Sequence, residues 1–150
     1  MAATPPANLA TNDIISEAWV DAVSALPAGE MARQTGISTG SIATIQTIFI
    51  LTFTAIAGRR YRLRSQMQFA MGGSVGTVTA SVCDAGNVTL QSSSQSVGAG
   101  FVGGAYVEHE VTPPAGAVTY NVRIVANAAA IMNGSATQAH WATVDDVGAA

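Results

Sequence analysis

Few residues in this chain could carry chemistry, and their spacing keeps them apart. Glu108-His109-Glu110 offers two carboxylates and an imidazole in consecutive positions. On a strand, neighbouring side chains point to opposite faces, so His109 turns away from both glutamates and the three cannot close on one metal ion. The other histidine, His140, has no carboxylate at a recognisable spacing. Nor does any pair of acids sit in two visibly different settings, as hydrolysis by paired carboxylates requires. Gly98-Ala99-Gly100-Phe101-Val102-Gly103 has the GxGxxG spacing of dinucleotide-binding loops. That loop grips a pyrophosphate only between a strand and a helix. Here a serine-rich stretch precedes it and a strand-like run follows. Asp145-Asp146 lacks a calcium-loop pattern and reads as a solvated strand end. The expectation is a non-enzymatic protein with no cofactor and no metal.

One charge cluster stands out: Arg59, Arg60, Arg62 and Arg64. Guanidinium forks suit the carboxylates of an acidic partner. The reading preferred here is gatekeeping, with charges flanking a strongly β-forming apolar strand and blocking edge-to-edge aggregation. The formal net charge is −3 and the chain has no lysine. Nucleic-acid binding needs a broad basic face to displace counterions, and that is excluded as a function class.

Those arginines follow the strand that organises the chain. Ile48 to Phe69 reads as two strands and a turn at Gly58-Arg59. The first strand is apolar on both sides, with Phe49, Leu51, Phe53 and Ala55 on one face. Ile48, Ile50 and the methyls of Thr52 and Thr54 occupy the other. The second strand alternates Tyr61, Leu63, Met67 and Phe69 with Arg62, Arg64, Gln66 and Gln68, the period of a half-buried strand. A two-sheet sandwich buries one face of each strand. The second apolar face of the first strand therefore calls for another layer, and Ile48 and Ile50 are the expected subunit-interface residues.

Ahead of this block, apolar residues recur every three to four positions from Asn12, and Pro27 ends the pattern. A helix of about fourteen residues is marginal alone in water, so its stripe must pack. The partner is either its own sandwich or an assembly, in which Ile15, Trp19 and Leu26 would be the docking residues. Residues 1–30 thus form an arm and helix, and residues 31–150 a β-sandwich domain. Residues 30–41 read as a linker, and Ser92 to Gly104 as a polar, glycine-rich loop. Seven or eight short strands separated by turn signals argue for an antiparallel, jelly-roll-like sandwich with a short N-terminal helix. Phe101, in that glycine-rich loop, and Tyr106 are the candidates for a surface recognition loop.

Composition supports assembly. Charged residues are 10% of the chain, against roughly 25% in ordinary soluble domains, as though much of the surface were covered. Cys83 is the single cysteine, so an intrachain disulfide is excluded. The N-terminus has no charged region followed by an apolar one. The greasiest segment, Ile42 to Ala57, is too short and threonine-rich to span a bilayer. No membrane partner is expected.

Several phrases together carry a resemblance: the ALPAGE helix end, the block ILTFTAIAGRRYRLRSQMQF with FTAIAGRRYRL most telling, and the closing HWATVDDVG. The chain resembles, over about residues 12–148, small virion structural proteins of tailed bacteriophages that infect actinobacteria, of the minor tail protein type. The resemblance implies a homotrimer of sandwich domains made in the host cytoplasm and residing in the virion, docked to other virion proteins by its N-terminal segment. The absence of residues after Ala150 favours a compact knob over a long fibre. The alternatives are a capsid decoration protein and a carbohydrate-binding module for a host-surface glycan, with Phe101 or Tyr106 as stacking platform.

Overall fold

The computed structural model describes residues 27–36, 40–134 and 139–150, which form nine strands. These are β1 (Gly29–Gly36), β2 (Gln46–Ala55), β3 (Arg59–Met71), β4 (Gly76–Asp84), β5 (Thr89–Val97), β6 (Val102–Val111), β7 (Gly116–Ala126), β8 (Ala130–Met132) and β9 (His140–Ala149). The expected N-terminal helix, with Ile15, Trp19 and Leu26, lies outside the described residues.

Two antiparallel sheets face each other. Sheet A runs β1-β9-β3-β6, with β8 also paired to β3, and sheet B runs β2-β7-β4-β5. With the three-residue β8 set aside, the eight remaining strands pair as nested hairpins: first with last, second with second-last, and so inward to β4 with β5. That winding is a jelly roll. Gly58, at φ 73°, supplies the left-handed residue of the tight turn that carries the chain from β2 in sheet B to β3 in sheet A.

Alternation in the sequence becomes alternation across the sheets. Phe49, Leu51 and Phe53 of β2 meet Tyr61, Leu63, Met67 and Phe69 of β3 in one core with Val78, Ala80 and Val82 of β4 and Val122 and Ile124 of β7. Phe53 stands between Tyr61 and Tyr120, at ring-centroid distances of 4.8 Å and 6.2 Å. Each fully buried aliphatic of this kind contributes about 2 kcal/mol through burial.

Three readings need correcting. Residues 29–36 are not linker but edge strand β1, paired along β9. The stretch from Ser92 is not loop but most of β5, held to β4 by backbone pairing and by hydroxyl pairs, Thr77 with Ser96 at 3.0 Å and Thr79 with Ser94 at 2.8 Å. Asp146 is not a solvated strand end, since it is 2% exposed beside Arg59.

His140 closes a seam in sheet A. Along β3, pairing with β9 runs to Gln66 and pairing with β8 starts at Phe69, which leaves Gln68 between two partners. The Gln68 N–H donates to Nδ1 of buried His140 at 3.0 Å, and its carbonyl accepts the Asn133 N–H at 3.0 Å. The imidazole thus does the work of a missing strand residue, as a buried backbone donor requires.

Candidate functional site

The outer flank of β2 is unlike any other edge of the sandwich. β2 is the terminal strand of sheet B, paired on one side by β7. Its sequence QTIFILTFTA holds no charge and no proline. The other edges are hydrophilic. β1 carries the Glu30–Arg33 ion pair at 2.8 Å, β6 carries Glu108, His109 and Glu110, and β5 is mostly serine and glutamine. Along β2 and its ends, Ile45, Ile50 and Ile56 are 52%, 53% and 56% exposed. Bare, uncharged edges are what sheet proteins ordinarily guard against.

The two isoleucines named from the sequence do not share one position type. Ile50 stands on the open face, and its N–H donates to Gln34 Oε1 at 3.0 Å. Ile48 falls where a bulge shifts the β2–β7 register between Thr47 and Phe49, and it packs partly against the core. It also lines a cleft of about 680 Å³ between β1 and β2, with Arg33, Gln34, Gln46 and His140.

Apart from Arg123, the rest of sheet B's outer face is made largely of uncharged polar groups. Thr52 and Thr119 share a hydrogen bond at 3.0 Å. Buried Asn121 donates to Asn87 Oδ1 at 3.0 Å. Arg123 is the one cation placed there by register, opposite Thr47 and Ser81, and its buried Nε has no hydrogen-bond partner among the described residues.

Sheet A's outer face is a lattice of ion pairs. Arg62 donates to Glu110 through Nε at 3.0 Å and Nη2 at 2.8 Å, and lies 3.5 Å from Glu108. Arg64 reaches Asp145 at 2.6 Å. The Arg62 hydrogen bond holds the Glu110 carboxyl below its ordinary range. At the strand end the lattice goes inside. Arg59 grips Asp146 with Nε at 2.6 Å and Nη2 at 3.0 Å, the side chains 10% and 0% exposed. Burial pushes the Asp146 carboxyl up. The Arg59 fork, the Gly148 N–H at 2.9 Å and the Arg59 charge more than reverse that, leaving it below the usual aspartate value.

The arginine cluster therefore has a role the sequence did not disclose: its partners are acids of β6 and β9, 48 to 87 positions away in the chain. Glu108 and Glu110 share a face, and His109 is set against the opposite one. Among the described residues no group of three His, Cys, Asp or Glu could hold a metal ion. Phe101 lies in the β5–β6 turn, 68% exposed, whereas Tyr106 is on strand β6, 44% exposed, its hydroxyl donating to Glu108. That bond pushes the Tyr106 phenol above its ordinary value. The two rings do not form one loop surface.

One spacing escaped the sequence reading. Gly36-Ile37-Ser38-Thr39-Gly40 has the G-x-S-x-G form. The nucleophile elbow needs a helix after its serine. Here Gly36 ends β1, residues 37–39 lie outside the described ones, and the chain resumes in an isolated bridge from Ser41 to Ile131.

No protein-family model and no curated protein matches the chain. Solved structures do. Murine APRIL, in its crystal structure at pH 8.5, superposes with a TM-score of 0.50 at 15% identity, over 77% of this chain and 98% of that one. Eiger TNF from S. frugiperda gives 0.47 at 10% identity, over 81% of this chain and 87% of that one. The VP2 protein of infectious bursal disease virus, in a mutant form, gives 0.47 at 10% identity, over 81% of this chain and 32% of that one. The likeness to APRIL is one of fold, and it agrees with the nested strand winding.

Proposed function

We propose that this chain is a non-enzymatic structural subunit of a bacteriophage particle, a homotrimeric minor tail or appendage protein docked through residues 1–30. The observation that carries self-assembly is the β2 flank, an uncharged edge strand with Ile50 on it and Ile45 and Ile56 at its two ends, each about half exposed. Completing their burial is worth about 1 kcal/mol each, and a neighbouring subunit is the natural cover. The number three, the particle and the docking segment rest on the sequence resemblance.

Native mass spectrometry tests the reading. A trimer is expected at micromolar concentration, and Ile50→Glu, which would bury an unpaired carboxylate, should raise the dissociation constant at least ~100-fold. A wild-type chain that stays monomeric removes the assembly claim. Deleting residues 1–26 should leave the sandwich folded and abolish incorporation into particles; normal incorporation would remove the docking claim.

A further inference from the structure

Across the outer face of sheet A, three strands bring Tyr106, Gln66 and Trp141 into a single row. Gln66 pairs with Tyr106 on β6 and with Trp141 on β9. With strands about 4.8 Å apart, the two ring-bearing positions are set about 10 Å from each other. That is the reach of a disaccharide. The next row along β3 and β6 pairs Gln68 with Gly104. Beside it opens a recess of about 400 Å³, lined by Gln66, Gln68, Gln95, Val102, Gly103 and Gly104.

The two glycines of that recess have different reasons to be there. A Cβ on Gly103 would meet the Phe69 ring and Val97 at 2.7 Å, so core packing demands glycine. A Cβ on Gly104 would meet nothing closer than 3.8 Å, and its backbone is not left-handed. Neither packing nor conformation asks for glycine at 104, and glycine weakens a strand interior. What such a glycine leaves free is room for a close approach by a ligand.

The groups around this space are neutral and two-way. Carboxamides both donate and accept hydrogen bonds, as a hydroxyl-rich ligand needs. Gln95 Oε1 already accepts the Gly104 N–H at 3.2 Å, which fixes that amide at the rim. The Glu108 hydrogen bond anchors the Tyr106 ring. The charged rows next along the face are occupied with one another, Arg62 with Glu110 and Arg64 with Asp145. A ligand with polar edges and apolar C–H faces, and no charge, fits this set. We propose that the Tyr106–Gln66–Trp141 row and its recess form a binding site for a neutral pyranose oligosaccharide. Sugar rings lie on the aromatic positions, and the carboxamides engage the hydroxyls.

The proposal does not rest on the particle reading, and it is tested on the isolated full chain. Calorimetric titration with gluco-, manno- and galacto-configured neutral hexaoses, and with an oligogalacturonate as charged control, should show saturable binding of at least one neutral series. Tyr106→Ala and Gln66→Ala should weaken it at least ~10-fold, Gly104→Leu should abolish it, and Tyr106→Phe should stay within about 2-fold. Ile50→Glu, on the other sheet, should bind as the wild type does. Circular dichroism checks each fold, and Gly104→Ala serves if Gly104→Leu does not fold. The proposal is overturned if no neutral hexaose binds at about 10 mM, a ceiling close to −3 kcal/mol. It is equally overturned if only the oligogalacturonate binds, or if binding survives both Tyr106→Ala and the glycine substitution.

Discussion

The two outer faces of the sandwich solve the problem of facing water in opposite ways. On sheet A, every arginine outside the core has a carboxylate within 4 Å, on an adjacent strand for Arg60, Arg62 and Arg64 and on its own strand for Arg33. On sheet B, hydroxyls pair with hydroxyls, one arginine has no hydrogen-bond partner at Nε among the described residues, and an isoleucine edge lies open. A face whose charges satisfy each other is complete as it stands. A neutral face with an apolar margin is finished by whatever covers it. The contrast separates the surface built to stay wet from the surface available for assembly.

The sharpest way to break that contrast is at the one ion pair that is buried. Arg59→Ala leaves the Asp146 carboxylate in the interior without its cation, and removing one partner of a buried pair is strongly destabilising. The expected loss is about 3 kcal/mol, read from urea unfolding. A loss under about 1 kcal/mol would mean that water reaches Asp146 and that the strand end is open after all.

Acid probes the same pair from the other side. The folded state holds the Asp146 carboxyl below its ordinary value of 3.8. The stability it contributes is therefore fully present above that value and is lost as pH falls through the lower, folded one. The unfolding midpoint should be flat from neutral pH to about pH 5 and decline below about pH 4. In Arg59→Ala the decline should be shallower, because the shift has lost its main cause.

Sheet B gives the opposite sign. Arg123 is the arginine whose buried Nε has no hydrogen-bond partner among the described residues. An unsatisfied buried donor costs stability, and replacing it by an apolar side chain of similar length is neutral or favourable. Arg123→Met should leave the isolated subunit unchanged or more stable by up to about 1 kcal/mol. A clear destabilisation would show that Arg123 has a partner and that sheet B is not the neutral face it resembles.

How far this was readable from the sequence depends on what each strand touches. β3 was legible because one face meets the core and the other meets water, so Tyr61, Leu63, Met67 and Phe69 alternate with arginine and glutamine. β5 was not, because its residues 91–96 are exposed on both faces and the side chains that add to its backbone pairing are serine and threonine hydroxyls. A strand with no apolar face carries no period. β1 was missed for the same reason, as it runs along a corner with most residues exposed. Ile50 could be picked out because an isoleucine in the wet phase of a strand is a local anomaly. The Tyr106–Gln66–Trp141 row could not, since it exists only once β6 and β9 are known to flank β3.

The smallest expected effect is the one that tests whether sheet A's lattice is a stabilising device or only a complete surface. Arg62 touches Glu110 and Glu108 while remaining 39% exposed in its side chain. Exposed pairs gain little, because water screens the charges and two long side chains must be held still. Arg62→Ala should shift the thermal midpoint by less than about 3 °C, while Arg59→Ala, three positions earlier on the same strand, shifts it several times as far. If the two proved equal, the lattice would act as one cooperative network, and the outer face of sheet A would be part of what holds the sandwich together. If Arg62→Ala instead left stability intact but caused aggregation through β3 or β6, its pairing would serve as protection of the sheet, which is the gatekeeping role the sequence suggested.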